Sequence, residues 1–309
     1  MLVNQPLDPA VEAAAAAFPS TPVDADSLPA RRRRPPGPPL SDAVERLDRV
    51  VPGAPGQPDV PVRIHRARDG AEDPRPCVVS LHGGGLVMGT HEADDALFDA
   101  WCPKQGVVGV AVDYRLAPEV PYPGALDDAY AALRWTHDHA DELGVDPHRI
   151  GVRGVSAGGG LAAALALHVR DRGESLLAFQ LLDCPMLDDR QCTPSSRLEG
   201  LAVWSAESNA FGWRSYLGDR YGTDDVPATA APARATDLSG LPPAFVSVGS
   251  VDGFRDEDVD YALRLNQAGV PCELHVYPGA CHGYQMAPRS DAARQSARDA
   301  ARWLARQIA

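Results

Sequence analysis

Residues 154–158 read Gly-Val-Ser-Ala-Gly and run on into Gly159 and Gly160, and this stretch limits the possible folds more than any other. Before it, Arg149-Ile150-Gly151-Val152-Arg153 is a short, partly β-branched run that suits a buried strand. After it, Leu161 to Val169 is rich in Ala and Leu and suits a packed helix. A serine at a strand-to-helix bend is held with its hydroxyl exposed, and small neighbours let other backbone come close. The helix start adds unpaired N–H groups and the positive end of the helix dipole, where an oxyanion could be held. The pattern carries chemistry only in that setting, so the rest of the chain decides its meaning.

The chain on either side alternates strand and helix. Pro9 to Phe18 suits a short Ala-rich helix, and Arg31-Arg32-Arg33-Arg34 before Pro35-Pro36-Gly37-Pro38-Pro39 reads as a solvated linker. Val44–Val51 and Val60–Arg66 read as strands joined by the Pro/Gly-rich turn 52–58. Then follow strand Pro76–Leu81, helix Glu92–Cys102, strand Val107–Val112 and helix Gly124–Ala140. Beyond the serine come strand Leu176–Leu182, strand Ala244–Val248, helix Arg255–Gln267, strand Cys272–Tyr277 and helix Ser290–Ile308. Such alternation implies a mostly parallel sheet with helices on both faces, and ligands then lie outside the carboxyl ends of the strands. The interruption at 185–238 carries Trp204, Phe211, Trp213, Tyr216 and Tyr221 in a chain only 6% aromatic, which suits a cap over the serine.

An activated serine needs a base, an acid to orient it and donors for an oxyanion. His82-Gly83-Gly84-Gly85 directly follows a strand, so the N–H groups of Gly83 and Gly84 can converge with that of Ala157 on one oxygen. His82 is expected to orient that loop. Of nine histidines, His282 lies on a loop past the strand Cys272–Tyr277, at the sheet edge where a base belongs. Asp252 sits on the turn after Ala244–Val248, whereas Asp256, Glu257 and Asp258 fall in a helix's first turn, where the dipole accounts for carboxylates. Ser156, Asp252 and His282 are therefore the candidate catalytic residues, with a pH profile governed by an imidazole of ordinary range, about 6–7. Leu86, Val155, Trp204, Phe211 and Trp213 are the candidate lining of the substrate pocket.

Composition narrows the partners. A net charge of −13 speaks against nucleic acid and anionic membrane surfaces, and the substrate is expected to be a neutral or weakly charged small molecule. The six cysteines are scattered without a C-x-x-C pair, which in a chain of 309 residues suits free thiols in a reducing compartment. No apolar run approaches the ~20 residues of a membrane span. The N-terminus lacks the basic and apolar regions of a signal peptide, so a cytoplasmic location is expected.

Six pieces together resemble the hormone-sensitive-lipase-like carboxylesterase family of α/β-hydrolases. They are His82–Gly85 with Gly89, Asp113-Tyr114-Arg115-Leu116-Ala117-Pro118-Glu119, Pro123–Asp128, Gly154–Gly159, Asp252 with Arg255-Asp256-Glu257, and His282-Gly283. The order Ser156, Asp252, His282 is that of the α/β-hydrolase fold. The resemblance implies a central, mostly parallel eight-stranded sheet flanked by helices, with a small helical cap. It builds that cap from the N-terminal segment 1–43, which with the insertion 185–238, read above as cap, would cover a hydrolase domain at 44–309. It also implies hydrolysis of short- to medium-chain acyl esters with neither cofactor nor metal, structural roles for Asp113, Arg115, Glu119 and Asp128, and frequent homodimers. Val155 departs from the Asp or Thr common before the family's serine. Amide or formamide hydrolysis and acyl transfer are compatible with the same three residues, and a receptor-like binding protein would lack the histidine that is present here.

Overall fold

Strand residues alternate between two apolar layers, and that alternation fixes the architecture. On β3 (Arg75–Leu81) the side chains of Cys77, Val79 and Leu81 enter the larger core, while Val78 enters the smaller. On β7 (Ala244–Gly249) Ala244 and Val246 face the larger core and Phe245 the smaller. The computed structural model describes residues 5–33, 37, 39–68 and 74–309. The other strands are β1 (Val44–Val51), β2 (Val60–Ala67), β4 (Val108–Val112), β5 (Val145–Val155), β6 (Gln180–Asp183) and β8 (Cys272–Tyr277). They form an eight-stranded sheet of order β1-β2-β4-β3-β5-β6-β7-β8. β1 and β2 run antiparallel to their neighbours, and every pairing from β4 to β8 is parallel.

The helices are α1 (Pro9–Ala15), α2 (Leu28–Arg31), α3 (Asp95–Gln105), α4 (Gly124–Asp138), α5 (Ala140–Leu143), α6 (Ala157–Asp171), α7 (Ala206–Leu217), α8 (Arg255–Gln267) and α9 (Asp291–Gln307). Phe98 and Trp101 of α3 and Trp303 and Leu304 of α9 cover one face, whereas α4, α6 and α8 bury Leu133, Leu165 and Leu265 against the other. Among the described residues no helix is long and apolar enough to cross a membrane. The chain passes from β3 out to β4 and returns to β5 on the other side of β3. That reversal opens a crevice at the carboxyl ends of β3 and β5, where such sheets bind ligands. The register pairs Leu81 with Gly154 and so sets His82–Gly85 beside Ser156.

Several boundaries differ from the sequence reading for physical reasons. The helix expected from Glu92 begins as a 3-10 turn, His91–Asp94, because Asp94 and Asp95 turn inward. Asp94 binds Arg153 and Ser80, while Asp95 binds Arg63 and His65. β6 is shorter than the apolar run 176–182: Leu176 packs in the core ahead of the strand, and Phe179 joins β5 only through its carbonyl, which accepts the N–H of Val152. The insertion holds one α-helix, α7, and several 3-10 turns. The arginine run is not simply a solvated linker. Arg31 closes α2, and Arg32 grips Glu119 with both terminal guanidinium nitrogens, while its Nε donates to the carbonyl of Val87 and its Nη2 to that of Ala117. Arg34, Pro35, Pro36 and Pro38 of that stretch lie outside the described residues.

Candidate active site

Ser156 caps the N-terminus of α6 with φ 57° and ψ −123°. A non-glycine residue rarely adopts that conformation, which costs about 1–3 kcal/mol. It is held by its own N–H donating to Asp183 O at 2.8 Å, and by its carbonyl accepting from Gly160 and Met186, both at 3.0 Å. Close approach explains the small residues that follow. A Cβ on Gly158 would stand 2.0 Å from the carbonyl oxygen of Leu81, so any side chain there would push α6 off β3.

The three candidate catalytic residues come together. Ser156 Oγ lies 2.8 Å from His282 Nε2, and His282 Nδ1 lies 2.9 Å from Asp252 Oδ2. The second carboxylate oxygen of Asp252 accepts the N–H of Phe254 at 3.0 Å, and the Phe254 ring meets the His282 ring edge-on. All three residues are buried. Burial by itself disfavours the imidazolium of His282. The facing Asp252 carboxylate, with the Cys184 sulfur beside it, outweighs this, and the ring is held well above its usual range. The sequence reading's ordinary imidazole is corrected accordingly.

The glycine loop lies against the serine. A Cβ on Gly83 would be 3.4 Å from that of Ser156. Gly84 has φ 126°, and a Cβ there would collide with the Met88 carbonyl at 2.0 Å, so only glycine fits. Among the described residues the N–H groups of Gly83, Gly84 and Ala157 have no partner within the protein. His82 accounts for the loop's shape: it is fully buried, its Nδ1 is 2.8 Å from Gly83 O, and its ring stacks on Tyr114. Burial holds this ring below its usual range and keeps it neutral.

The candidate pocket residues divide. The Trp204 ring rests on Gly85, where a Cβ would stand 2.2 Å from it, and Trp204 also lines a small cleft reaching Asp252 and Phe254. Leu86 is buried with φ 64°, and Val155 packs beside Gly83. Phe211 and Trp213 belong to the main core, Trp213 being fully buried against Tyr216. A second cleft beside His282 is walled by Val11, Ala15 and Phe18 of the N-terminal segment and by Val203 and Met286.

Sequence reasoning missed three features. Arg153, two residues before Val155, is buried between Asp94 at 2.7 Å and Asp183 at 3.1 Å; a charge inside the uncharged run from Ile150 to Val155 was the available signal. Glu257 is not a dipole partner at the surface. It is buried, and it accepts the N–H groups of Leu187 and Asp188 at 2.8 and 3.1 Å, bracing the loop after β6. Cys184 lies beside the site: its Sγ, an Asp252 oxygen and a His282 nitrogen are all within 4.8 Å of one another. Among the described residues this is the one grouping with metal-ligand spacing. Cys281, the neighbour of His282, is a packed thiol that burial pushes up to about 11. The residues expected to be structural are so placed, with Arg115 held by Asp128 through its backbone N–H and its guanidinium.

Residues 78–286 match the family model described as the alpha/beta hydrolase fold. The chain belongs to the hormone-sensitive-lipase-like family of α/β-hydrolases. It is 38% identical over 284 residues to carboxylesterase NlhH of Mycobacterium tuberculosis, covering 90% of this chain and 88% of that protein. It is 33% identical over 229 residues to ethyl acetate hydrolase of Pseudomonas putida, covering 73% and 71%. Among solved structures it is similar to a bacterial heroin esterase, with a TM-score of 0.91, 39% identity and 98% of each chain covered.

Proposed function

We propose that this carboxylic ester hydrolase cleaves short- to medium-chain acyl esters through an acyl-enzyme on Ser156. The observation that carries the reading is the unbroken run from Ser156 Oγ through His282 to Asp252, set beside unpartnered N–H groups. His282 Nε2 takes the serine proton as Oγ attacks the ester carbonyl, and Asp252 stabilises the imidazolium through Nδ1. The oxyanion lies on the N–H groups of Gly83, Gly84 and Ala157, each worth about 3–4 kcal/mol in the transition state. His282 then protonates the departing alkoxide and activates a water that releases the acid. A relative named for ethyl acetate supports a short acyl chain.

The N-terminal segment and the 185–238 insertion act together as the cap. Val23 N–H donates to Ser208 Oγ of α7 at 2.9 Å, α1 buries Val11 against the His282 loop, and Arg32 ties the segment to the loop carrying Gly84. These ties favour a site closed on the acyl side. The test is Ser156→Ala assayed with p-nitrophenyl esters of increasing chain length. Wild type should favour acetate and butyrate over long chains, and the variant should lose at least about 10⁴-fold in kcat. Turnover near the wild-type rate in Ser156→Ala overturns the reading.

A further inference from the structure

Cys184 takes no part in the proton relay, yet it is built into the site. It follows β6 with φ 37°, its N–H is held by Ser247 O at 2.6 Å, and its thiol is fully buried and accepts a long contact from Gln285 Nε2 at 3.7 Å. The sulfur, an Asp252 oxygen and a His282 nitrogen stand within 4.8 Å of one another. Nε2 is turned to Ser156, so the ring nitrogen on the Asp252 side is Nδ1.

We propose that Cys184, Asp252 and His282 form an inhibitory site for a thiophilic divalent cation, Zn²⁺ or Cd²⁺, which enters between Nδ1 and the Asp252 carboxylate. Thiolate, imidazole and carboxylate are the donors Zn²⁺ accepts, at about 2.3 Å for sulfur and about 2.0–2.1 Å for nitrogen and oxygen. A tetrahedron with those bonds separates nitrogen from oxygen by about 3.3 Å and sulfur from nitrogen by about 3.5 Å. Nitrogen and oxygen are now 2.9 Å apart and must open by about 0.4 Å, while the sulfur, within 4.8 Å of both, must close to about 3.5 Å. Two further carboxyls favour a cation there. Glu257 and Asp258 of the first turn of α8 are both buried, and neither oxygen of Asp258 has a hydrogen-bond partner among the described residues.

Proton bookkeeping explains the inhibition. The thiol proton leaves to solvent and the sulfur binds as thiolate, while Asp252 binds already ionised. The cation takes the Nδ1 lone pair, so the ring's own proton moves to Nε2. Nε2 then donates a hydrogen bond where it must accept the serine proton, and the base is lost with Ser156 itself untouched.

Inhibition rests on the serine-esterase reading, whereas binding does not, so both are measured. The intact protein is titrated with Cd²⁺ while the thiolate-to-metal ultraviolet band is followed, in wild type, Cys184→Ser, Cys184→Ala and, as a control at an exposed thiol, Cys192→Ser. Near-ultraviolet circular dichroism reports folding, and whichever Cys184 variant folds decides the outcome. Wild type and Cys192→Ser should give one saturable equivalent that EDTA removes, with Zn²⁺ or Cd²⁺ abolishing hydrolysis reversibly. The Cys184 variants should lose the band, and half-inhibition should need at least about ten-fold more cation. The absence of a saturable band in wild type, or its persistence in the Cys184 variants, overturns the proposal. A Cys184-dependent band in a protein without esterase activity would uphold the site and refute the proposed function instead.

Discussion

Arg153→Met tests whether the buried charges beneath the serine hold it in place. The Arg153 side chain is 8% exposed, and those of its partners Asp94 and Asp183 are 4% and 9% exposed. Asp94 also accepts from Ser80 Oγ on β3, and Asp183 from Ser247 Oγ on β7, so the network joins four adjacent strands. Methionine fills much of the arginine's volume but leaves two buried carboxylates without their cation. Breaking a buried pair from one side costs about 3–5 kcal/mol, because the charge left behind has lost both water and partner. With an unfolding entropy of about 2.1 cal/mol/K per residue over 309 residues, that loss lowers Tm by about 5–8 °C. Activity should fall as well, since the Asp183 carbonyl accepts the Ser156 N–H. Adding Asp94→Asn and Asp183→Asn should recover most of the stability, because the lone charges are then gone. Scanning calorimetry and ester hydrolysis on the three proteins provide the measurement. A Tm for Arg153→Met within about 1 °C of wild type would refute the reasoning, as that is the range of an ordinary surface change.

Two other perturbations bear on the chemistry. Because Asp252 holds His282 well above 6.5, the inactive imidazolium persists to higher pH, and kcat/KM should fall as pH drops through an apparent pKa above 6.5. Asp252→Asn should move that midpoint down and cost about 10⁴-fold in kcat, and a wild-type midpoint at or below the ordinary imidazole value would contradict the pairing. Gly84→Ala, with φ 126° and a Cβ 2.0 Å from Met88 O, must displace the loop, and kcat should fall about 10²–10³-fold with the fold retained by circular dichroism. An unchanged kcat would remove Gly84 from oxyanion binding.

What the sequence made legible was whatever depends on local pattern. Ser156, His282 and Asp252 each lie past the carboxyl end of a strand, so their convergence follows from parallel topology alone. His82–Gly85 was readable for the same reason. The hidden features depend on partners distant in the chain. Arg153 meets Asp94 and Asp183 across 59 and 30 residues, and Arg32 meets Glu119 across 87. An arginine beside a proline run looks solvated until the fold brings a carboxylate to it. Glu257 and Asp258 resemble dipole partners because helix periodicity does not say which face a first turn buries. Cys184 gave no signal at all, since its proximity to His282 arises only when β6 and the His282 loop are assembled.

The central claim is that Ser156 is the nucleophile, and the direct measurement is the site of covalent capture. The protein is treated with diethyl p-nitrophenyl phosphate, weighed intact by mass spectrometry and mapped by peptide fragmentation. One diethylphosphoryl group should appear on Ser156, in step with loss of hydrolysis, and Ser156→Ala should take up none. A wild-type protein that hydrolyses esters yet carries no adduct, or carries it on another residue, would contradict the account.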